Sequence, residues 1–387
     1  MIAGKYAIAG TATSDLGRTG MDSLALLEQA MRRAVKDAGL KISDIDGLVC
    51  RGPDDVYTHH QRMGARLGIN VGFSTSLDNG GASQILAIAL AAMAIDAGLC
   101  TTVLCGYGRN SWTRTHAVDT TRTAMGTMAE EQLPTEFAPE YGWFGAASTH
   151  ALGARRHMFE YGTTREHFAH VAMSFREHAL RNPDAVMKKP MTLADYLEAR
   201  MIVEPYGLFD CSLESDGAGA VVVTSAERAR HLRRPPVYIK GFGSFNNLSG
   251  WLEDDHMFKT AAIGSGKKAF EMARLTPADI DTAQIYDCFT GMVIAQLEDY
   301  GFCKKGEGGP FAQSGALRLG GALPTNTSGG QLSEAHVEGM LQIVEGVRQL
   351  RHEYPPERQV AGAEHALISG HGGNTVCHST LILGRSA

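Results

Sequence analysis

Proline and cysteine are scarce in this sequence, and positive charge does not exceed negative. The 387 residues include 13 Pro and 7 Cys, with 36 Lys and Arg against 42 Asp and Glu. The formal net charge is -6 at pH 7, so no basic footprint points to nucleic acid. No run of like charge forms a tail. The cysteines (50, 100, 105, 211, 288, 303, 377) are odd in number, and no two have CxxC spacing. That argues against a zinc ribbon or a disulfide framework and for a reducing, cytoplasmic setting. No His/Cys group shows metal-ligand spacing, so no metal is expected. Long hydrophobic runs are missing as well. The most apolar stretch, Ile85–Leu99, contains Asp96 and is too short to span a bilayer. The opening MIAGKYAIAG lacks the charged region and apolar core of a signal peptide. The expectation is a soluble α/β enzyme that touches neither membrane nor nucleic acid.

What is plentiful is glycine, at 45 residues, in a chain that is 44% hydrophobic. Such a chain can bury a sizeable core. Many glycines with few prolines indicate tight backbone turns rather than loose linkers.

A repeat underlies the pattern. Residues 38–46 read AGLKISDID and residues 273–281 read ARLTPADID, with the identities at one constant offset of 235. An apolar-periodic helix precedes each copy, over Ser23–Asp37 and Ala261–Met272, and a short strand follows each, over Gly47–Cys50 and Thr282–Tyr286. Further out, Tyr6–Gly10 matches Val237–Gly241, Thr102–Gly106 matches Ala366–Gly370, and Ala218–Thr224 matches Ser379–Leu383. Gly-rich turns lead into long helices over Gln84–Gly98 and Leu332–Leu350. Strands alternating with helices predict layered α/β sheets in two similar halves. Between Arg109 and Glu204 the pattern breaks, as an insertion would break it.

Four loops carry the candidate chemistry. Asn79-Gly-Gly-Ala-Ser83 joins a β-prone segment, Phe73–Leu77, to a helix start, where backbone N–H groups suit an oxyanion. By itself an ordinary tight turn explains it as well. Ile285-Tyr-Asp-Cys-Phe289 ends a strand just before a helix over Gly291–Tyr300. Tyr286 and Asp287 there suit acid–base work, or equally an N-cap with aromatic core. His336 falls six residues after a Gly-Gly turn, early in the expected helix, where a lone His is more often a satisfied structural residue. His371 lies among glycines in Ile368-Ser-Gly-His-Gly-Gly-Asn374, or is simply a solvent-facing turn residue. His59-His60 reads as a surface doublet, and Lys304-Lys305-Gly-Glu-Gly-Gly309 as a loop that could meet phosphate.

Taken together and in this order, the loops resemble the thiolase superfamily. The nearest likeness is to sterol-carrier-protein-type thiolases and lipid-transfer-protein-type aldolases of steroid side-chain degradation. It covers essentially the whole chain. Its most specific stretches are Tyr286–Thr290 with Leu297–Gly309, Leu323–Glu334, and Glu204–Ser212 with Ser215–Ala218. The resemblance implies the duplicated thiolase fold, layered α/β/α/β/α. An N-terminal half, 1–235, would carry a loop-domain insertion of about 110–204 over the acyl-CoA, and 236–387 would form the C-terminal half.

The departures from the family redirect the chemistry. Gly81 stands where a thiolase carries its nucleophilic Cys, and Gly370 where a second reactive Cys falls. The family's helix His is kept as His336, between Ala335 and Val337 instead of Gly and Pro. Tyr286 replaces an amide or imidazole. Without a thiol at 81, covalent acyl transfer lacks its nucleophile.

The resemblance then implies a retro-aldol C–C lyase acting on a bulky, steroid-like β-hydroxyacyl-CoA. Coenzyme A would be part of the substrate, with no covalently bound cofactor. Tyr286, His336 and Asp287 are the expected catalytic residues. Tyr286, or a base it touches, takes the β-hydroxyl proton, and His336 stabilises the enolate. Gly81, Ser83, His371, Gly372 and Asn326 are expected around the substrate and its oxyanion. A phenol, ordinarily near 10, needs lowering to act as a base at neutrality. The aldolases resembled carry tyrosine at both the 286 and 336 positions, so here the roles are shared differently.

One alternative is a 3-ketoacyl-CoA thiolase or acyltransferase using a displaced thiol such as Cys288 or Cys377. Another is a non-catalytic acyl-CoA or lipid-binding subunit. The resemblance also implies a symmetric homodimer and a small zinc-ribbon/OB-fold partner subunit. Trp112, Trp143, Phe144 and the methionines suggest a roomy apolar pocket, or plain core.

Overall fold

A computed structural model describes residues 2–51, 58–116, 145–247, 259–373 and 376–387. Trp143 and Phe144, and so the aromatic pocket they suggest, lie outside the described residues, as does Asn374. The first part of the chain runs β1 (Tyr6–Thr13), α1 (Ser23–Ala38), β2 (Gly47–Arg51), α2 (His59–Leu67), β3 (Phe73–Ser76), α3 (Ser83–Asp96) and β4 (Thr102–Asn110). Then come α4 (Ser111–His116), α5 (Ala146–Tyr161), α6 (Arg165–Arg181), α7 (Leu193–Glu198), β5 (Met201–Val203), β6 (Tyr206–Gly207), β7 (Asp216–Ser225) and α8 (Ala226–Ala229). The rest is β8 (Val237–Asn246), α9 (Ala262–Ala273), β9 (Thr282–Gln284), α10 (Thr290–Asp299), α11 (Gly308–Gln313), α12 (Gly330–Ser333), α13 (Met340–Leu350), β10 (His365–Gly372) and β11 (Cys377–Gly384).

Nine strands form one sheet in the order β3-β2-β4-β7-β1-β8-β11-β10-β9. Reading outward from the central β1·β8 contact, β7, β4 and β2 on one side mirror β11, β10 and β9 on the other. Orientations mirror too: β2·β4 and β9·β10 are parallel, β4·β7 and β10·β11 antiparallel. The parallel β2·β3 pair has a reduced counterpart, the isolated parallel bridge between Ala283 and Thr325. The centre itself is thin, with only Ala7 opposite Tyr238 and Ile8 opposite Val237.

The repeat shows in atomic detail. α1 begins where Asp22 accepts from the Ala25 amide, and ends at left-handed Gly39. Its buried stripe of Leu26, Leu27, Ala30, Met31, Ala34, Val35 and Ala38 packs on β1, β4 and β7. A Cβ at Gly10 would lie 2.3 Å from the Ala34 carbonyl oxygen. At Gly241 a Cβ would lie 2.1 Å from the Ala269 carbonyl oxygen, under α9. Each half therefore needs a glycine strand and an alanine helix face to bring the two backbones together.

The inner helices make the layers. α3 packs on β2, β4 and β7 and also on β10 and β11, while α13 packs on β1, β7, β9, β10 and β11. Both lie between strands of the two halves, with α1 and α9 outside, which is the α/β/α/β/α arrangement expected. α3 is apolar nearly all round and buried on most of its surface, except along Leu86, Leu90 and Met93, where Met93 is 45% exposed. Ile88, fully buried, contributes on the order of 1.5–3 kcal/mol.

One expectation is corrected here. The long helix over Leu332–Leu350 is broken into α12 and α13, because Glu338 (φ 44°) and Gly339 (φ 84°) turn left-handed between them. His336 therefore sits in the break rather than on a helix. Among the described residues no helix is long and apolar enough to cross a membrane.

Candidate active site

The loops before α3 and at the end of β10 meet backbone to backbone. A Cβ at Gly80 would fall 2.9 Å from the Gly372 Cα, and one at Gly372 only 2.1 Å from the Asn79 carbonyl oxygen. A Cβ at Gly370 would fall 2.8 Å from the Gly81 carbonyl oxygen. These glycines permit the contact. It brings Gly81, from the first half, against Tyr286, at the end of β9 in the second.

Tyr286 is 5% exposed. Its backbone is pinned at both ends: its N–H donates to Ser369 Oγ (2.7 Å) and its carbonyl accepts from Gln296 Nε2 (2.9 Å). Burial pushes the phenol well above its usual 10, with help from the Glu338 carboxylate; Arg109 and Arg51 oppose this and do not overcome it. At neutral pH Tyr286 is therefore a proton donor.

His336 lies half-buried beside an ionic cluster. Arg109 Nη1 is 3.4 Å from His336 Nε2 and 3.1 Å from Glu338 Oε1. Arg51 Nη1 holds the other Glu338 oxygen, and Arg51 Nε reaches Asp78 at 3.1 Å. Tyr107 donates to Glu338 Oε1 (3.1 Å). A guanidinium only donates, so His336 Nε2 accepts. Nδ1 then carries the proton and faces Ser212 Oγ at 3.3 Å. Burial, then Arg109, lowers the His336 pKa to about 3. Glu338 stays ionised despite burial, because Arg51 and Arg109 hold its carboxyl below the usual range. Nothing in the motif reading found Arg51, Arg109, Tyr107 or Glu338. The available signal was a charged residue, Glu338, set between Val337 and Met340.

Other expected residues take supporting places. Asp287 accepts from the backbone N–H groups of Gln331 (3.0 Å) and Leu332 (3.2 Å) and from Gln342 Nε2 (2.9 Å). Burial pushes it up to about 7 against those donors. It caps α12, the N-cap side of the sequence reading, and does not face the reaction space. Asn326, at φ 49°, binds both backbone groups of Ile285 (2.7 and 2.8 Å). Ser83 Oγ accepts from the Asn79 N–H (2.6 Å) and closes the turn. Asn326 and Ser83, expected at the substrate, thus hold the backbone that presents Tyr286 and Gly81.

His371 is not in a solvent-facing turn. It lies on β10, 3% exposed, with Nε2 3.2 Å from His150 Nε2 and its ring 5.7 Å from that of Tyr286. Its buried Nδ1 has no partner. His150 Nδ1 lies 2.8 Å from the Ala146 carbonyl, so that nitrogen is protonated and Nε2 accepts from His371. Burial lowers His150 to about 4 and His371 well below 6.5.

The ligand atoms of His150, His371 and Cys288 lie within 4.8 Å of one another, with Cys288 Sγ 3.9 Å from His150 Nε2. One tetrahedral zinc ion would hold such atoms about 3.3–3.7 Å apart. The group is therefore read as neutral hydrogen-bonding side chains. Two lesser expectations are corrected. His59 is buried against Cys50 Sγ (3.3 Å), and Lys305 is tied to Asp299 (2.6 Å) and Glu298 (3.2 Å) instead of awaiting phosphate.

All seven cysteines have pKa values pushed up, burial being the main cause in each. None carries the cationic neighbourhood that makes a thiolate.

Known proteins resemble this chain along nearly its whole length. Residues 246–385 match the family described as thiolase C-terminal domain-like. The chain is 36% identical to the 17-hydroxy-3-oxo-4-pregnene-20-carboxyl-CoA lyase of Mycobacterium tuberculosis, over 99% of this chain and 100% of that one. It is 37% identical to the steroid side-chain-cleaving aldolase of Thermomonospora curvata, over 91% of each. The solved Ltp2-ChsH2(DUF35) aldolase superposes with a TM-score of 0.88 at 34% identity, covering 99% of this chain and 98% of that one. The chain belongs to the thiolase superfamily, in the group it shares with the steroid side-chain-cleaving aldolases.

Proposed function

We propose that this chain is a retro-aldol carbon–carbon lyase that cleaves a bulky, steroid-like β-hydroxyacyl-CoA into a carbonyl compound and a shorter acyl-CoA. The observation that carries this reading is the Tyr286 phenol packed into the space that a side chain at 81 would need, with glycine and no thiol at that position. Acyl transfer needs a thiolate; enolate chemistry needs donors. The names of the lyase and aldolase relatives support the same substrate class.

In the proposed reaction the β-hydroxyl loses its proton, the Cα–Cβ bond breaks, and its electron pair moves to the thioester as an enolate. Tyr286 donates to the thioester oxygen where that charge gathers, and the Arg109 guanidinium adds positive charge nearby. As Arg109 turns from His336 to the enolate, the Nε2 lone pair is freed for the β-hydroxyl proton. His336 is a weak base in the empty site, and the forming enolate raises its basicity as the bond breaks. The proton then returns to Cα. Gly81 and Gly372 would offer backbone N–H groups to the oxyanion, His371 backs the Tyr286 ring, and Asp287, Asn326 and Ser83 hold the loops.

The wider assembly follows the same reading. The halves would be 1–235 and 236–387, with about 110–204 covering the acyl-CoA. Coenzyme A enters as part of the substrate. A homodimer and a small zinc-ribbon/OB-fold partner subunit complete the assembly; the two-part name of the Ltp2-ChsH2(DUF35) aldolase supports the partner.

The deciding experiment offers a β-hydroxyacyl-CoA and a β-ketoacyl-CoA, each with and without free CoA, before and after thiol alkylation. The lyase reading expects cleavage of the hydroxy ester without CoA and after alkylation. Cleavage of only the keto ester, dependent on CoA and abolished by alkylation, would replace it with a thiolase.

A further inference from the structure

We propose that Gly81 and Gly339 form a slot, defined by their missing side chains, that seats the Tyr286 phenol, and that position 81 can carry no side chain while Tyr286 is present. The inference rests on the lyase reading for its catalytic meaning, but its geometry stands alone.

The two glycines are required for different reasons. Gly339 adopts φ +84°, a conformation that L side chains rarely take, and a Cβ there would also press on Tyr286 Cδ2 (3.2 Å) and Cε2 (3.4 Å). The backbone of Gly81 is not left-handed, so its conformation alone would accept other residues. Space forbids them. A Cβ at 81 would lie 2.2 Å from Tyr286 Cε2, 2.4 Å from Cζ and 2.4 Å from the hydroxyl oxygen. Its three nearest atoms all belong to the one ring. Ordinary contact begins near 3.4 Å, so even a methyl group would drive the ring aside by more than about 1 Å.

The ring has little freedom to yield. Ser369 and Gln296 fix its backbone on both sides, and Gly339 packs beside Gly81 along the Cδ2–Cε2 edge of the ring. Nor can the 81 loop retreat, because the Gly370 backbone is already packed on the Gly81 carbonyl. Gly81 and Gly339 are thus positioning residues acting through Tyr286. The pair 81/286 selects between two kinds of site: a side chain at 81, or a phenol at 286.

A double-mutant cycle tests this. Wild type, Gly81→Ala, Tyr286→Ala and the double variant are compared by thermal unfolding and by steady-state cleavage of a β-hydroxyacyl-CoA. Gly81→Ala is expected to lower the melting temperature in the wild-type background and not in the Tyr286→Ala background. It is expected to cut kcat on the order of 100-fold, leave KM within about threefold, and add no further loss to Tyr286→Ala. An equal melting loss in both backgrounds, or full kcat in Gly81→Ala, would overturn the slot. If Gly81→Ala fails to fold, folding of the double variant supports the slot and its failure sinks it. If wild type cleaves no ester, the lyase reading falls, while the unfolding cycle still decides the slot.

Discussion

Arg109 donates to His336: Nη1 lies 3.4 Å from Nε2, and the same nitrogen reaches Glu338 at 3.1 Å. The contact fixes the imidazole as a neutral lone-pair acceptor. It also sets a cation close enough to act on the Tyr286 phenol, the donor in the proposed reaction. Arg109→Met is expected to lower kcat by about 10²–10³-fold and to lower the melting temperature too, because it takes one of two guanidinium partners from the buried Glu338 carboxylate. Arg109→Lys should recover only part of the loss, since a point charge cannot serve both neighbours. Full activity in Arg109→Met would remove Arg109 from the reaction.

Tyr286→Phe keeps the ring in its slot and removes the donor. Cleavage should fall by about 10²–10³-fold, with thioester binding and stability nearly unchanged. Retained turnover would mean that the oxyanion donor lies elsewhere.

Asp287 gives a contrasting expectation. Its carboxylate answers three donors, two backbone N–H groups at the start of α12 and the Gln342 amide on α13. Asp287→Ala leaves them unpaired, at about 1–3 kcal/mol for each buried group. The melting temperature should drop sharply, and any residual folded enzyme should keep its kcat. A kcat loss without a stability loss would return Asp287 to a catalytic role.

Stability should depend on pH through the buried imidazoles. Burial lowers His59, His150 and His178 to about 4, His378 to about 3, and His371 well below 6.5. An unfolded His titrates near 6.5. Between about 6.5 and 4 the unfolded chain therefore takes up protons that the folded chain refuses, and stability falls as pH falls. Each group contributes at most about 1.4 kcal/mol per pH unit. Asp287 and Glu334, both raised to about 7, act in the opposite direction, losing stability as pH rises through the same window. The five imidazoles outnumber them. The melting temperature should fall on acidification from pH 6.5 to 4.5, less steeply in His378→Gln. A flat profile would contradict this assignment.

The fold was legible because the duplication writes it twice. Each strand and helix pair found by offset reappears as a mirrored pair about β1 and β8, down to the Gly10 and Gly241 contacts. Gly81 and His336 drew attention through the glycine turns before them, and Tyr286 through the strand-to-helix corner Ile285–Phe289. The ionic cluster was not. Arg51, Arg109 and Glu338 lie far apart in sequence, each ends or interrupts an ordinary element, and only tertiary packing joins them. The break at His336 escaped for a similar reason: apolar periodicity runs through 332–350, and the left-handed turn at Glu338 overrides it. Asn326 and Ser83 were misplaced because an amide or hydroxyl beside glycine reads alike whether it serves a ligand or its own backbone.

Arg51 and Tyr286 are the same position of the repeat, 235 residues apart. Arg51 ends β2, Tyr286 lies two residues past β9, and the Glu338 carboxylate acts on both. An ancestor with two identical halves would have brought two copies of one side chain to this carboxylate. Here the copies have diverged, one into a permanent cation and the other into a phenol. On the lyase reading, this one unequal pair of sites supplies both the cation beside Glu338 and the proton donor. A functional innovation of this kind needs no new loop or insertion, only unequal inheritance between twins.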